Sequence, residues 1–186
     1  MTQLHSSFNF QQWVIESDFP DYQQFEYLFD GLEDNRDDMN THTNNGIQHY
    51  YEVDEIDSIT NTVRQRANEI LQEQNAPMRV GNADSAWTIT YGPGGWQALH
   101  NHAYRHHIIT TVLYFDTNES NNMNDGAFYS MFSEPNGDQF CQVFPYWAGK
   151  FILAEGAMFH GAYPTTTTRR TLVIDFIPEY INNDTA

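Results

Sequence analysis

The feature that most constrains the fold is a succession of short β-type segments that fills the chain from Ser85 onward. Each segment is rich in β-branched and aromatic residues, and clusters of Gly, Pro and Asn separate one segment from the next. Such residues favour strands and such clusters favour turns. The predicted strands are 86–91, 97–102, 107–116, 126–132, 139–144, 149–155 and 169–177. Strands of this number and spacing predict a β-sandwich or barrel.

The clearest helix is predicted over residues 58–74, ahead of the β region. Its apolar residues fall at helical spacing, namely Ile56, Ile59, Val63, Ala67, Ile70 and Leu71. Asp57 or Ser58 can accept the free N–H groups of the first turn, and Pro77 is expected to end the helix. The pattern therefore indicates an amphipathic helix that packs on the sheet.

Earlier residues predict a second helix near 21–33, ending around Gly31, and a loop over the polar stretch 33–48. No repeat or linker divides the chain. We therefore expect one domain spanning residues 1–186, with a mostly helical support over 1–80 and a β core over 85–178.

Charge and composition exclude two classes of partner. The chain has 25 acidic and 8 basic residues, a net charge of −17, and one lysine, Lys150. Nucleic acids and anionic membrane surfaces both require clustered basic residues, so neither is an expected partner. The lone Cys141 is expected to be a small core residue. With no signal-type start and no apolar run of membrane-spanning length, a cytoplasmic protein is expected, including one made in a phage-infected cell.

Three histidines form the candidate metal site. His100 and His102 are two residues apart, so in a strand both side chains point to the same face. His160 follows 58 residues after His102. Two imidazoles on one strand and a distal third can hold a transition metal while leaving coordination positions open. His42 and His49 are expected to be surface residues.

The order of these residues resembles the Fe(II)/2-oxoglutarate (2OG) dependent oxygenases, especially prolyl-4-hydroxylase-like members and the small oxygenases common in phage genomes. That family carries His-X-Asp/Glu, then a distal His, then a cationic residue. This chain reads His100-Asn-His102, then His160-x₃-Pro164-x₄-Arg169. The resemblance covers about residues 85–178. It implies a double-stranded β-helix (jelly roll) with flanking N-terminal helices.

The resemblance also implies a ligand set and a reaction. Fe(II) would be held by the three histidines, and 2OG by Arg169, or by its neighbour Arg170, with help from Thr171, Tyr114 and Tyr91. The spacing of the prolyl-hydroxylase-like branch favours Arg169. The reaction would consume O₂ and 2OG, hydroxylate a C–H bond of a small-molecule or peptidyl substrate, and release succinate and CO₂. Ascorbate is compatible with such an enzyme.

Other interpretations stay open. His102 stands where the family has a carboxylate, so it either replaces that ligand or is a bystander. Gly94-x₅-His100-x-His102 also resembles a cupin motif, which suggests a metalloprotein that does not use 2OG. A non-enzymatic virion or scaffold module is a third alternative, with the acidic N-terminal region as its contact surface. His106 and His107 are not expected to bind metal. The sequence indicates neither the substrate nor the oligomeric state.

Overall fold

The computed structural model describes residues 3–7 (backbone only), 12–35, 42–102, 107–134 and 136–181. Its strands form a curled antiparallel sheet, a double-stranded β-helix, so the predicted fold class is confirmed. The strands are β1 Gln3–Ser7, β2 Gln12–Asp18, β3 Thr43–Tyr51, β4 Met78–His100, β5 Ile109–Tyr114, β6 Phe128–Ser133, β7 Gln139–Phe144, β8 Lys150–Glu155, β9 His160–Ala162 and β10 Arg169–Tyr180. They pair in the order β1-β2-β8-β5-β10-β4-β9-β6-β7, and β3 pairs with β4.

Strand β4 joins the two halves of the β-helix. Its first part pairs with β10, and its end pairs with β9. The predicted strands 86–91 and 97–102 are thus parts of one bent strand that ends at His100. The bend requires glycine, because Gly94 has φ +81° and a Cβ on Gly95 would meet the Asn45 carbonyl at 2.7 Å. The bend directs the end of β4 toward β9.

The central strand β10 separates two apolar layers. Leu172, Ile174 and Phe176 face a cluster that includes helix α1, Asp57–Glu73. The alternate residue Val173 faces a second cluster inside the β-helix, as the period of two in a strand requires. Asp175 lies on that inner face too. The same strand therefore builds the core under the helix and one wall of the interior.

The helix predicted over 58–74 is confirmed as α1, and it packs on the sheet through residues such as Val63 and Ile70. Its capping differs from the prediction. A 3₁₀ turn, Val53–Ile56, runs directly into the helix, so Asp57 is already helical, and in the described part of the chain no side chain makes an N-cap hydrogen bond. The Asp57 carboxylate instead accepts a hydrogen bond from Asn61 at 2.7 Å.

The N-terminal part is less helical than predicted. The segment near 21–33 forms a 3₁₀ helix, Tyr22–Phe29, and the predicted loop 33–48 contains the start of β3. Strand β2 also lies in this part and pairs with β8. Its apolar run is buried on both faces, so it shows no alternation, while β3 lies off the main strand order and carries exposed polar residues. Both features hide a strand from a pattern search.

Two further findings concern the surface. The Cys141 thiol belongs to an exposed residue of β7, so the prediction of a core cysteine is wrong. The described segments contain no helix with the length and apolar character needed to span a membrane.

Candidate metal centre

The three predicted histidines converge at one point. His100 ends β4 and pairs across the sheet with His160, the first residue of β9, while His102 follows two residues after His100. One ring nitrogen from each histidine lies within 4.8 Å of the other two. The Nε2 atoms of His100 and His102 are 3.2 Å apart. Three imidazole nitrogens on one side of a point can bind a transition metal and leave its other side open.

Hydrogen bonds fix how two of these rings present their nitrogens. Nδ1 of His100 is 2.8 Å from the Ala98 carbonyl, and Nδ1 of His160 is 2.9 Å from the Met158 carbonyl. A carbonyl only accepts, so in both rings Nδ1 carries the proton and donates it. In a neutral imidazole the other nitrogen, Nε2, then offers its lone pair, as a metal ligand must.

Burial keeps His100 and His160 neutral. Desolvation, followed by the proximity of His102, lowers the pKa of His100 to about 4. Desolvation, with the neighbouring His100 and His102, holds the pKa of the buried His160 well below its usual value. At neutral pH both rings therefore have a free lone pair, so no proton has to be displaced from them when a metal binds.

The third ring, His102, is held by two polar side chains that the sequence did not single out. Its Nδ1 is 2.9 Å from Oδ1 of Asp175 in β10 and 2.9 Å from Oγ1 of Thr110 in β5. The Thr110 hydroxyl donates to the same Asp175 oxygen at 2.8 Å. All three residues are buried. The sequence signal that points to Asp175 is the presence of an acidic residue within the apolar run Leu-Val-Ile-Asp-Phe-Ile.

The other histidines fall into two groups. His42 is exposed, as expected of a surface residue, and its ring stacks on that of His100, with ring centroids 5.1 Å apart and planes 13° apart. His49 contacts the Glu33 carbonyl through Nδ1 at 2.9 Å. His107 is 63% exposed and 4.0 Å from Glu155, away from the three ligand atoms. His106 lies outside the described residues.

The two arginines have opposite environments. Arg169 is 1% exposed, its guanidinium lies 4.0 Å over the Tyr91 ring, and Nη1 donates to the Gly126 and Tyr163 carbonyls. Its Nε has no hydrogen-bond partner, and within the described ranges no carboxylate forms an ion pair with it. A buried cation without an anion is costly unless a ligand supplies the negative charge.

Arg170 faces the other side of β10. Its Nη2 is 2.8 Å from Oδ1 of Asp116, its Nε is 3.2 Å from both carboxylate oxygens, and its guanidinium lies near the Phe29 ring. This ion pair with Asp116 and its hydrogen bonds raise the pKa of Arg170. The alternation of the strand therefore separates Arg170 from the interior and from the histidines.

One cavity inside the β-helix brings together all the other predicted site residues. It is lined by the three histidines, Arg169, Thr171, Tyr91 and Tyr114, together with Trp87, Ile89, Gln97, Thr110, Val112, Phe128, Ala162 and Val173. Burial raises the pKa of Tyr114, so its phenol remains a hydrogen-bond donor at neutral pH. Among the described residues, the indole N–H of Trp87 has no hydrogen-bond partner. The cavity thus joins three imidazole nitrogens that can hold a metal to a buried cation and to donors that have no partner among the described residues.

Comparison with known proteins supports the fold. No protein-family model matches the sequence, and neither does any curated protein. Among solved structures, a Pseudomonas putida prolyl-4-hydroxylase is 15% identical with a TM-score of 0.57, and the match covers 88% of this chain and 91% of that one. A viral collagen prolyl hydroxylase from Paramecium Bursaria Chlorella virus-1, solved as a 2OG complex, is 13% identical with a TM-score of 0.60, covering 89% and 95%.

A prolyl hydroxylase from Trichoplax adhaerens, solved with a hypoxia inducible factor peptide fragment, is 11% identical with a TM-score of 0.61, covering 88% and 83%. These likenesses establish the fold. The chain has the double-stranded β-helix of the Fe(II)/2OG oxygenases, and its resemblance is to the prolyl-4-hydroxylase type.

Proposed function

We propose that this protein is an Fe(II)- and 2OG-dependent oxygenase that hydroxylates a C–H bond of a small-molecule or peptidyl substrate. The observation that carries the proposal is Arg169, a buried guanidinium with no carboxylate partner among the described residues, which lines the same cavity as three converging histidines. A metal site alone does not require this cation. A cosubstrate with a remote carboxylate does.

The residues would divide the work as follows. His100, His102 and His160 bind the metal through Nε2, and the lowered pKa values of His100 and His160 mean that these two rings lose no proton when the metal binds at neutral pH. Arg169 receives the distal carboxylate of 2OG, since a guanidinium can donate two parallel hydrogen bonds to it. The hydroxyl of Thr171, from the same strand face, supports that carboxylate.

When bound, iron and 2OG supply the oxidation: one atom of O₂ enters succinate, CO₂ leaves, and the other oxygen atom enters the new hydroxyl group. The chain's own contribution is to orient the bound groups and to exclude water from them. The apolar residues Ile89, Val112 and Val173 line the cavity between its polar groups, so the reacting groups are shielded from solvent. Ascorbate as an additional reductant belongs to the proposal as well.

The test is release of succinate and CO₂ from 2OG by purified protein with Fe(II) and O₂. We expect turnover in the wild type, its loss in Arg169→Ala, and its retention in Arg170→Ala, because Arg170 is paired with Asp116 outside the cavity. Unchanged turnover in Arg169→Ala would reject the assigned role of that residue. A wild type that never consumes 2OG would reject the function.

A second candidate is a cupin-type metalloprotein that does not use 2OG. The all-imidazole ligand set favours it, because position 102 carries an imidazole where the oxygenase pattern has a carboxylate. Iron binding with no response to 2OG would put this candidate first.

A further inference from the structure

Asp175 is a buried acid inside the β-helix. It lies in β10 between Ile174 and Phe176, is 1% exposed, and faces the interior of the β-helix. Its Oδ1 contacts Nδ1 of His102 and receives the Thr110 hydroxyl. Within the segments that the structure describes, no lysine or arginine pairs with it. An ionised carboxylate in such a position is costly unless a positive charge compensates it.

A metal ion on the far side of His102 would supply that charge. The Nδ1 of His102 is occupied by Asp175, and its Nε2 lies 3.2 Å from Nε2 of His100, within the ligand cluster. Asp175 and the metal position are therefore on opposite edges of one imidazole ring. A carboxylate in this arrangement orients the ring, selects the tautomer with a free Nε2, and makes that nitrogen a stronger ligand.

We propose that Asp175 is a positioning residue of the metal centre, which acts through His102 and supplies from behind the ring the negative charge that the oxygenase pattern places at position 102 itself. This proposal rests on metal binding by the three histidines, which is part of the proposed function. The chain departs from the oxygenase pattern by having His102 in place of a carboxylate. On this proposal, Asp175 in β10 compensates for the missing negative charge.

The geometry predicts that Asp175→Asn has opposite effects on metal affinity in the wild type and in a variant with aspartate at position 102. An aspartate at position 102 would place a carboxylate oxygen near the present position of Nδ1, next to Oδ1 of Asp175. Two carboxylates so close repel each other. Asp175→Asn should therefore weaken metal binding in the wild type but strengthen it in a His102→Asp background. A residue that only maintains the fold would weaken binding in both.

The experiment is a Co(II) titration followed by visible absorbance, on full-length wild type, Asp175→Asn, His102→Asp and the double variant. We expect Asp175→Asn to raise the Kd for Co(II) by about 10–100-fold, as loss of an outer partner does. The double variant should bind Co(II) more tightly than His102→Asp alone. Thr111→Val is the matched control, since this buried hydroxyl lies in the same strand pair but donates to the Ile174 carbonyl at 2.9 Å.

A second readout needs no metal. In ¹H–¹⁵N spectra of the metal-free protein, we expect the ring proton of His102 on Nδ1 in the wild type, and a mixture of tautomers in Asp175→Ala. Wild-type affinity in Asp175→Asn, or an equal loss in both backgrounds, would overturn the proposal. Absence of Co(II) binding by the wild type would overturn it together with metal binding. If Co(II) binding shows the predicted opposite effects but does not respond to 2OG, the result would support the positioning role of Asp175 and reject the proposed oxygenase function.

Discussion

Replacing Arg169 with methionine tests whether the buried guanidinium serves a ligand or the fold. Methionine fills a similar volume without a charge. The change removes the stacking on Tyr91 and the hydrogen bonds to Gly126 and Tyr163. It also removes an unpartnered buried Nε and an uncompensated cation. These losses and gains are each about 1–3 kcal/mol, so we expect the metal-free variant to keep its stability within about 2 kcal/mol of the wild type.

Ligand binding should respond far more strongly. Truncating one partner of a buried, hydrogen-bonded charge pair costs about 2–5 kcal/mol, or roughly 30- to 5,000-fold in Kd. At a 2OG concentration of about 100 times the wild-type Kd, the ligand stabilises the folded state by about 2.7 kcal/mol. A 100-fold weaker variant would gain only about 0.4 kcal/mol at the same concentration.

The assay is thermal unfolding with Co(II), with and without 2OG. For a chain of this size the wild-type shift corresponds to about 5–10 °C, and the shift in Arg169→Met to about 1–2 °C. Arg170→Met is the control. Its partly exposed ion pair with Asp116 contributes about 0–1 kcal/mol, and the 2OG-induced shift should be retained.

Two results would refute this reasoning. If Arg169→Met loses much more than about 2 kcal/mol without ligand, the guanidinium is chiefly structural. If the variant keeps the full 2OG-induced shift, another group binds the remote carboxylate.

Three further predictions follow from the site and the surface. His160→Ala should weaken Co(II) binding more than the loss of an outer partner does, which is typically about 10–100-fold, because it removes a direct ligand. Calorimetric titration would measure this, and wild-type affinity would exclude His160 from the site. The metal-free protein should lose stability as the pH falls from 6.5 to about 4, because His100 protonates in the unfolded chain near 6.5 but in the fold only near 4. The loss is on the order of 3 kcal/mol, and urea titrations should show a smaller loss in His100→Gln; equal losses would contradict the assignment. The Cys141 thiol should react with a thiol reagent in the native protein nearly as fast as in urea, and protection from the reagent would contradict its exposure.

Much of the fold was predictable because the C-terminal strands are rich in β-branched and aromatic residues and turn residues separate them. The predicted strand 139–144 coincides with β7, and 149–155 differs from β8 by one residue. Strand β9 was missed because a three-residue strand, His-Gly-Ala, has too few residues for a period of two to show. Strand β2 was missed because its apolar run is only Trp-Val-Ile, and burial on both faces leaves no alternation to mark it as a strand.

The candidate site was predictable where it depends on local spacing. The spacing of two residues brings His100 and His102 together, although β4 already ends at His100. The alternation of β10 assigns Arg169 and Arg170 to opposite sides. Asp175 required the fold, because its contact with His102 joins residues 73 positions apart through the pairing of β10 with β4 and β5.

The central claim is that one cavity binds a metal and 2OG together. Its most direct test is an anaerobic Fe(II) titration of the wild type followed by addition of 2OG, with detection of the weak visible charge-transfer band of a chelated 2-oxo acid. We predict that the band forms in the wild type and in Arg170→Met, and is lost in His100→Ala and Arg169→Met. Iron binding by the wild type with no band on addition of 2OG would contradict the claim.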